Sequence, residues 1–302
     1  MQKQKIFGIV LSVFIGISLV ACNNQKKDEL GNKSSDQKPA KGKLFIIGGG
    51  DRTPELMTRM IEASGVDSTG YIAVLPMSSE DPWGAYTYFC ADVANVSSIP
   101  CVNLNFREAD IINQPKLDSL RNAKLIFITG GDQSLFMGVA RNTPIQDAIE
   151  YAFEQGSLIG GTSAGAAVMS EIMITGEQVN AAEYESTYDK MWKGNGIYAQ
   201  GLGLIQSAII DQHFVARSRY NRLFSAMCDY PGNMGIGIDE ETAILVENRN
   251  ATVVGESQVI VVQPQDSCEV YFHHLGMRNV KMDIFVPGEK FTLPEFMETN
   301  KE

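Results

Sequence analysis

The sequence has 302 residues, of which 44% are hydrophobic and 20% are charged, and its formal net charge is −11. This composition provides enough apolar material for a sizeable core and predicts one large globular domain rather than a disordered chain. The acidic balance argues against nucleic acid as a partner, because binding to phosphates depends on clustered Lys and Arg side chains.

The N-terminus has the pattern of an export signal. Lys3 and Lys5 precede an apolar run over residues 6–20, which is too short and too close to the terminus for a comfortable membrane span. Leu19-Val20-Ala21-Cys22 is similar to a bacterial lipobox, so we expect a signal peptide over residues 1–21 and a lipid on Cys22. An uncleaved anchor is the alternative. Both predict an exported protein held at a membrane, either periplasmic or on the cell surface.

Residues 22–42 are polar, with hardly any apolar side chain, and predict a flexible tether between the lipid and a domain that covers residues 43–302. In that domain, short apolar runs first alternate with helix-length segments, including helices after Pro54 and Trp83 and a helical pattern that ends at Phe153. This alternation predicts an α/β fold with a doubly wound, mostly parallel sheet. The runs are 44–47, 71–75, 102–104, 125–129 and 158–161.

The pattern changes beyond residue 230, where apolar runs follow one another closely and are separated by turn residues. We expect these runs to form β-hairpins that extend the edge of the sheet. They cover residues 243–246, 252–254, 259–262 and 269–272. The polar stretch 177–200 is too long for an ordinary connection, so it is either a surface insertion or the rim of a pocket.

A Gly-x-Ser-x-Gly motif stands between an apolar strand and an Ala-rich helix, with Ser163 at its centre. A nucleophile elbow needs this arrangement, because only small neighbours fit a turn tight enough to expose the serine hydroxyl. The other interpretation is a glycine-rich helix entry with a capping serine. The strand, turn and helix context favours Ser163 as a nucleophile.

A nucleophilic serine needs a base, and the chain has three histidines. His213 follows an apolar run at the predicted carboxyl end of a strand, where open α/β sheets assemble their sites, so we expect it to be the base. A carboxylate should orient its imidazole. Asp211 and the acidic cluster 239–241 are candidates, and the residues alone do not separate them.

Backbone N–H groups of Ala164 and of the Gly130-Gly131-Asp132-Gln133 segment are candidates for an oxyanion hole. Three arginines follow His213. Arginine beside the site of an acidic protein suggests recognition of a substrate carboxylate. Surface arginines that balance nearby acidic side chains would explain them equally. They are Arg217, Arg219 and Arg222.

Other features carry no cofactor chemistry. Gly48-Gly49-Gly50 does not complete a dinucleotide fingerprint, because Thr53 stands where the third glycine is needed, and the few histidines favour no metal site. We therefore expect no cofactor. Four cysteines allow two disulfides in three connectivities or buried free thiols. They are Cys90, Cys101, Cys228 and Cys268.

Taken together, four motifs resemble those of the cyanophycinase family and occur in the family's order. They are Gly130-Gly131-Asp132-Gln133, the Ser163 elbow, Asp211-Gln212-His213-Phe214 with its three arginines, and Gly235-Ile236-Gly237-Ile238-Asp239-Glu240. The resemblance implies a class I glutamine-amidotransferase-like fold and a Ser163, His213 and Glu240 triad, with Ala164 and Gly131 as oxyanion donors. It also implies that six residues bind substrate, namely Gln133, Asp211, Gln212, Arg217, Arg219 and Arg222.

The resemblance implies a serine exopeptidase that hydrolyses β-aspartyl isopeptide linkages, releases β-Asp-Arg-type dipeptides through an acyl-enzyme, and forms a homodimer. An aspartyl or isoaspartyl dipeptidase for short peptides is an alternative, as is a non-catalytic lipoprotein that binds acidic peptides. A glutamine amidotransferase is disfavoured, because it would need Cys at position 163.

Overall fold

Five parallel strands form the centre of the fold. The computed structural model describes residues 42–181 and 183–295. Four of the five strands read as continuous apolar or glycine-containing runs that are almost fully buried, which is typical of a parallel sheet covered on both faces. The strands are β1 (Lys43–Ile47), β2 (Ile72–Leu75), β3 (Cys101–Asn103), β4 (Leu125–Ile128) and β5 (Leu158–Thr162).

Helices connect these strands and cover the sheet. Several begin with proline just after a capping side chain, as at Asp81 and Thr143. The helical pattern predicted to run to Phe153 is two helices, because Pro144 starts a second one. The helices are α1 (Pro54–Ser64), α2 (Pro82–Ala94), α3 (Gln114–Asn122), α4 (Gln133–Ala140), α5 (Pro144–Glu154), α6 (Ala164–Ala167) and α7 (Tyr220–Asp229), with a short 3-10 turn at Glu108–Asp110.

The second half of the chain adds strands to the main sheet and builds further sheets. These strands are β6 (Ile172–Gln178), β7 (Gly196–Gln200), β8 (Ala208–Gln212), β9 (Met234–Ile238), β10 (Thr242–Glu247), β11 (Asn250–Gly255), β12 (Val259–Val262), β13 (Glu269–Tyr271), β14 (His274–Gly276), β15 (Met282–Phe285) and β16 (Lys290–Thr292). The main sheet has the order β16-β11-β10-β1-β5-β4-β2-β3, and a second sheet has the order β15-β12-β9-β8.

The hairpin prediction is correct for β10 and β11, which extend the main sheet beyond β1 in antiparallel pairing. For the two later runs the expected extension of the main sheet is wrong, although β13 does form a hairpin with β14. Strand β12 is buried along its length and pairs with β9 in the second sheet, while β13 pairs only with β14. The edge of the main sheet next to β11 is taken by β16. The predicted α/β fold with a mostly parallel central sheet is confirmed.

The core lies on both faces of the main sheet. Alternate residues of β1 point to opposite faces, so Leu44 and Ile46 join one hydrophobic cluster while Phe45 and Ile47 join another. A third cluster packs helix α7 against the second sheet and includes Leu223 of the helix and Ile260 of β12. The second sheet therefore has its own apolar support beside the carboxyl ends of the central strands.

The structure shows a disulfide between Cys228 and Cys268, and Cys90 and Cys101 are free thiols. The predicted signal peptide, the lipidation site at Cys22 and nearly all of the predicted tether lie outside the described residues. Within the described residues, we find no helix with the length and apolar character that a membrane crossing requires.

Candidate active site

Ser163 occupies a strained turn between β5 and α6. Its backbone has φ 53° and ψ −110°, a conformation that L-residues rarely adopt. A Cβ atom at Gly161 would lie 2.4 Å from the carbonyl oxygen of Gly165, and one at Gly165 would lie 2.2 Å from that of Ile128. Glycine at both positions is therefore what allows the turn to form, as a nucleophile elbow requires.

Ser163, His213 and Glu240 form a chain of hydrogen bonds. The Ser163 Oγ lies 2.8 Å from His213 Nε2, and His213 Nδ1 lies 2.6 Å from Glu240 Oε1. His213 follows β8 and Glu240 follows β9, and these strands are parallel, so both side chains reach the same end of the sheet. When Nδ1–H donates to the carboxylate, Nε2 is left to accept the serine proton.

The other acidic candidates have different contacts. Asp239 Oδ1 accepts hydrogen bonds from the backbone N–H groups of Val215 and Ala216 at 3.0 and 2.9 Å. These residues belong to the turn that carries His213, so Asp239 holds that turn in place. Asp211 is paired with an arginine and is completely buried. Glu240 is therefore the carboxylate that the structure places against the imidazole.

The three glycines after β1 form the wall behind the imidazole. The backbone N–H of His213 donates to the carbonyl of Gly48 at 2.7 Å, and a Cβ atom on Gly49 would lie 2.2 Å from His213 Cε1. Gly49 also has φ +117°, which favours glycine. Sequence reasoning tested this run only as a nucleotide motif and missed its role, although a glycine run at the end of a central strand was the available signal.

The environment of His213 lowers the pKa of its imidazole. Burial is the main cause, since it penalises the charged form. The hydrogen bond to Glu240 raises the pKa and opposes burial, while the positive charges of Arg217 and Arg219 lower it further. The imidazole is consequently neutral at neutral pH, which is the state that can accept a proton from the serine hydroxyl.

Three residues expected to bind substrate are instead buried and bonded to one another. Asp211 is 0% and Arg222 is 1% exposed, and they form a two-point ion pair that includes Nε to Oδ2 at 2.7 Å. Arg222 also donates to the side-chain oxygen of Gln212 at 2.9 Å. In this structure the three side chains bond to one another, and direct substrate contact by Asp211, Gln212 and Arg222 stays a prediction. Burial opposes the charge on Arg222, but Asp211 outweighs it and raises the pKa of that guanidinium.

Arg219 is also buried, and it connects the turn of the histidine to the segment between β6 and β7. Its guanidinium donates to the carbonyl of Gln212 at 2.7 Å, to the carbonyl of Ser186 at 2.9 Å and to the hydroxyl of Tyr184 at 2.9 Å. Burial and the neighbouring Arg222 lower the pKa of Arg219 to about 10. These contacts all lie within the protein, and the expected contact of Arg219 with substrate stays a prediction.

Gln133 and Arg217 differ in exposure. Gln133 is buried, and its side-chain amide donates to the backbone carbonyls of Ile174 and Thr175. Its expected contact with substrate stays a prediction. Arg217 has a side chain that is 41% exposed, and its Nε lies 3.9 Å from Glu240 Oε1. Of the six expected substrate residues, Arg217 is the one that presents its charge to solvent beside the triad.

The predicted oxyanion donors lie next to the elbow. Ala164 is the first residue of α6, directly after Ser163. Gly130 approaches Ser163, since its Cβ position would be 3.5 Å from that of Ser163, and exposed Gly131 follows it with φ +136°. The backbone at Gly131 packs against the carbonyl of Ser78. Donation by Ala164 and Gly131 to an oxyanion stays a prediction.

Comparison with known proteins identifies the family. The sequence profile of "Peptidase family S51" matches residues 44–254. The chain is 32% identical over 264 residues to a cyanophycinase of Nostoc sp. (strain PCC 7120), covering 83% of this chain and 85% of that protein. It is 31% identical to a cyanophycinase of Synechococcus elongatus, covering 84% of this chain and 80% of that protein.

A solved structure shares the fold. The crystal structure of a peptidase from an acI-B1 Actinobacterium superposes with a TM-score of 0.63 at 19% identity, covering 85% of this chain and 99% of that one. The family match includes Ser163, His213 and Glu240. The chain therefore belongs to peptidase family S51.

Proposed function

We propose that this peptidase is of the serine type, with Ser163 as nucleophile, His213 as base and Glu240 as the group that orients the imidazole. The hydrogen-bonded chain from Ser163 through His213 to Glu240, at a strained elbow, is the observation that carries this proposal. The lowered pKa of His213 supports the same assignment, because a neutral imidazole is available to accept a proton.

The geometry supports an acyl-enzyme mechanism. Ser163 Oγ attacks the carbonyl carbon of the scissile amide while His213 Nε2 takes the hydroxyl proton. The tetrahedral intermediate collapses, the C–N bond breaks, and the same nitrogen returns the proton to the leaving amine. Water then attacks the acyl group with His213 again as base. Glu240 stabilises the charged imidazole at both stages.

We propose that the substrates are β-aspartyl peptides of the cyanophycin type, a polyaspartate with arginine linked to each side-chain carboxyl. Two relatives at 31–32% identity carry the name cyanophycinase, and Arg217 offers an exposed cation beside the triad. Such a polymer contains two kinds of amide bond. Cutting the main chain releases β-Asp-Arg with its side-chain linkage intact, whereas cutting the β-aspartyl side-chain linkage releases free arginine. Isopeptide cleavage and release of β-Asp-Arg, both implied by the resemblance, are therefore alternatives, and the dipeptide product requires cleavage of the main chain.

The first experiment combines labelling with product analysis. Purified protein (residues 23–302) is treated with a fluorophosphonate serine probe, and separately with cyanophycin and with short β-aspartyl peptides. Ser163→Ala should lose labelling and hydrolysis. Ser134→Ala is the matched control, because Ser134 is exposed on α4 and its side chain makes no hydrogen bond among the described residues. Mass spectrometry of the products distinguishes β-Asp-Arg from free arginine.

Each outcome has one meaning. Release of β-Asp-Arg from the polymer, absent in Ser163→Ala, supports the cyanophycinase-like function with main-chain cleavage. Activity on short peptides alone moves the assignment to an isoaspartyl dipeptidase. Absence of both labelling and hydrolysis in the unmodified protein would overturn the serine-peptidase proposal and favour a peptide-binding lipoprotein.

We also propose that the protein is exported and anchored by a lipid on Cys22, because Leu19-Val20-Ala21-Cys22 is similar to a lipobox. In cells, Cys22→Ser should move the protein from the membrane fraction to the soluble fraction and remove the lipid from its N-terminal peptide. A homodimer is proposed from the resemblance alone, and sedimentation of the purified protein tests it.

A further inference from the structure

A cavity beside Ser163 and His213 is also lined by residues that the proposed function does not use. The cavity has a volume of about 260 Å³, slightly below the 300–1,000 Å³ of pockets for drug-sized ligands, so it has the size for one or two residues of a peptide. The ends of β1, β4 and β5 and one face of α2 enclose it. None of the six residues expected to bind substrate lines this cavity.

The cavity wall contains a guanidinium group, and a neighbouring carboxylate balances part of its charge. Arg52 lines the cavity, and no Asp or Glu is among the described residues that do. The side chain of Arg52 is 8% exposed, and its Nε and Nη2 both contact a single oxygen of Asp92, at 2.7 and 2.6 Å. Its guanidinium also lies over the ring of Tyr88, 4.7 Å from the centroid. The side chain is thus held in one place by a carboxylate and an aromatic face.

Arg52 keeps hydrogen-bonding capacity after these contacts. A guanidinium has five N–H donors, and in the described part of the chain Nη1 has no hydrogen-bond acceptor. A planar guanidinium binds carboxylates through paired donors, and it can serve two carboxylates on different edges. The edge that carries Nη1 is therefore available to an anionic group.

Two threonine side chains in the wall also lack partners. Thr129 and Thr162 are 3% and 4% exposed, both line the cavity, and neither hydroxyl has a hydrogen-bond partner among the described residues. Buried hydroxyl groups almost always have a partner, but both oxygens are out of reach of a water molecule in the cavity, so a ligand could contact them only after these side chains rotate. A hydroxyl turned into the cavity can donate to a carboxylate oxygen.

We propose that this cavity is a substrate subsite that binds a carboxylate of the residue next to the scissile bond. Arg52 is its specificity-determining residue. The proposal rests on the proposed function, since it takes the substrate to be a peptide with free carboxylates. A cationic group is disfavoured as the occupant, because it would meet Arg52 in a wall without a facing acid.

The test measures binding without catalysis. A synthetic two-unit peptide, (β-Asp-Arg)2, is prepared as the free acid and with its free carboxyl groups converted to carboxamides. Calorimetry gives the Kd of each form for the Ser163→Ala protein. Charge-assisted hydrogen bonds lost with a carboxylate correspond to roughly a 10- to 100-fold change in affinity. We expect the acid to bind tighter than the amide by about this factor, and Arg52→Gln to bring the ratio close to one.

Controls separate binding from folding. Arg52→Gln leaves Asp92 without its partner, so Arg52→Gln with Asp92→Asn restores the balance of charge and should give the same ratio. Arg59→Gln removes an exposed arginine of α1 and should leave the ratio unchanged. Fluorophosphonate labelling of the same variants with Ser163 intact shows that the elbow is preserved.

The outcomes distinguish this inference from the proposed function. An acid-to-amide ratio near one in the Ser163→Ala protein, or a ratio that Arg52→Gln leaves unchanged, overturns the subsite. Failure of the unmodified protein to hydrolyse the peptide counts against the proposed function alone, because the binding ratio is measured without turnover.

Discussion

Asp211 provides a sharp test of the distinction between structural and substrate-binding charges. Its carboxylate is fully buried and is the counter-ion of two buried guanidinium groups, Arg222 in direct contact and Arg219 with Nη1 at 4.0 Å. Asp211→Asn therefore leaves two positive charges in the protein interior without a negative partner. Breaking one buried pair costs about 3–5 kcal/mol. We expect at least the upper part of that range.

The arginine substitution should cost less. Arg222→Gln leaves Asp211 with Arg219 nearby, so the charges that remain are balanced one to one. For a domain of this size about 1 kcal/mol corresponds to about 2–4 °C in Tm, so Asp211→Asn should lower Tm by about 10 °C or more. Arg222→Gln should lower it by a clearly smaller amount.

The assay is thermal unfolding followed by circular dichroism, together with kcat and KM on the peptide substrate. Asp118→Asn is the control, because Asp118 is 54% exposed on α3 and such surface changes usually stay within about 0.5 kcal/mol. If Asp211→Asn keeps the Tm of the unmodified protein while KM rises sharply, the reasoning is refuted and Asp211 binds substrate after all.

Three further predictions concern other parts of the molecule. The pKa of His213 is lowered from its ordinary value of 6.5, so activity should persist below pH 6.5 and fall only at more acidic pH. Arg217→Gln removes a positive charge that lowers this pKa, so the acid limb of the pH profile of kcat/KM should move to higher pH. Gly165→Ala should abolish fluorophosphonate labelling, because the added Cβ would lie 2.2 Å from a carbonyl oxygen. Gly138→Ala is the control, because its Cβ has open space in α4, and it should stabilise the fold by about 1 kcal/mol. Cys268→Ser opens a disulfide with a sequence separation of 40 and should lower unfolding free energy by about 4 kcal/mol in denaturant titrations.

The sequence predicts the features that are encoded by neighbouring residues. Ser163 could be located because strand, glycine turn and helix follow one another directly, and the alternation of strands and helices depends on local periodicity. His213 could be placed because the carboxyl ends of parallel strands share one edge. Glu240 needed the family resemblance, because adjacent acids in a turn differ only in where the backbone points them.

Features that depend on packing between distant segments were not predictable in this way. The sequence allowed Arg219 and Arg222 to bind substrate or to balance surface charge, but not to be buried, since a buried ion pair has no local pattern and Asp211 lies on a different element. The pairing of β12 with β9 depends on which sheet edge is vacant. Arg52 was missed because it stands before α1, far from Ser163 in the sequence, and only the folded sheet brings its end of β1 beside β5.

The charge of the protein and that of the proposed substrate are compatible for a specific reason. A net charge of −11 would repel a polyanion, although at physiological ionic strength the repulsion is screened beyond about 8 Å. A β-Asp-Arg unit within the polymer carries one carboxylate and one guanidinium, so its net charge is zero and long-range repulsion is weak. Recognition must then come from contacts inside the site. There the exposed Arg217 and the cavity-lining Arg52 offer separate cations on a scaffold that is otherwise acidic.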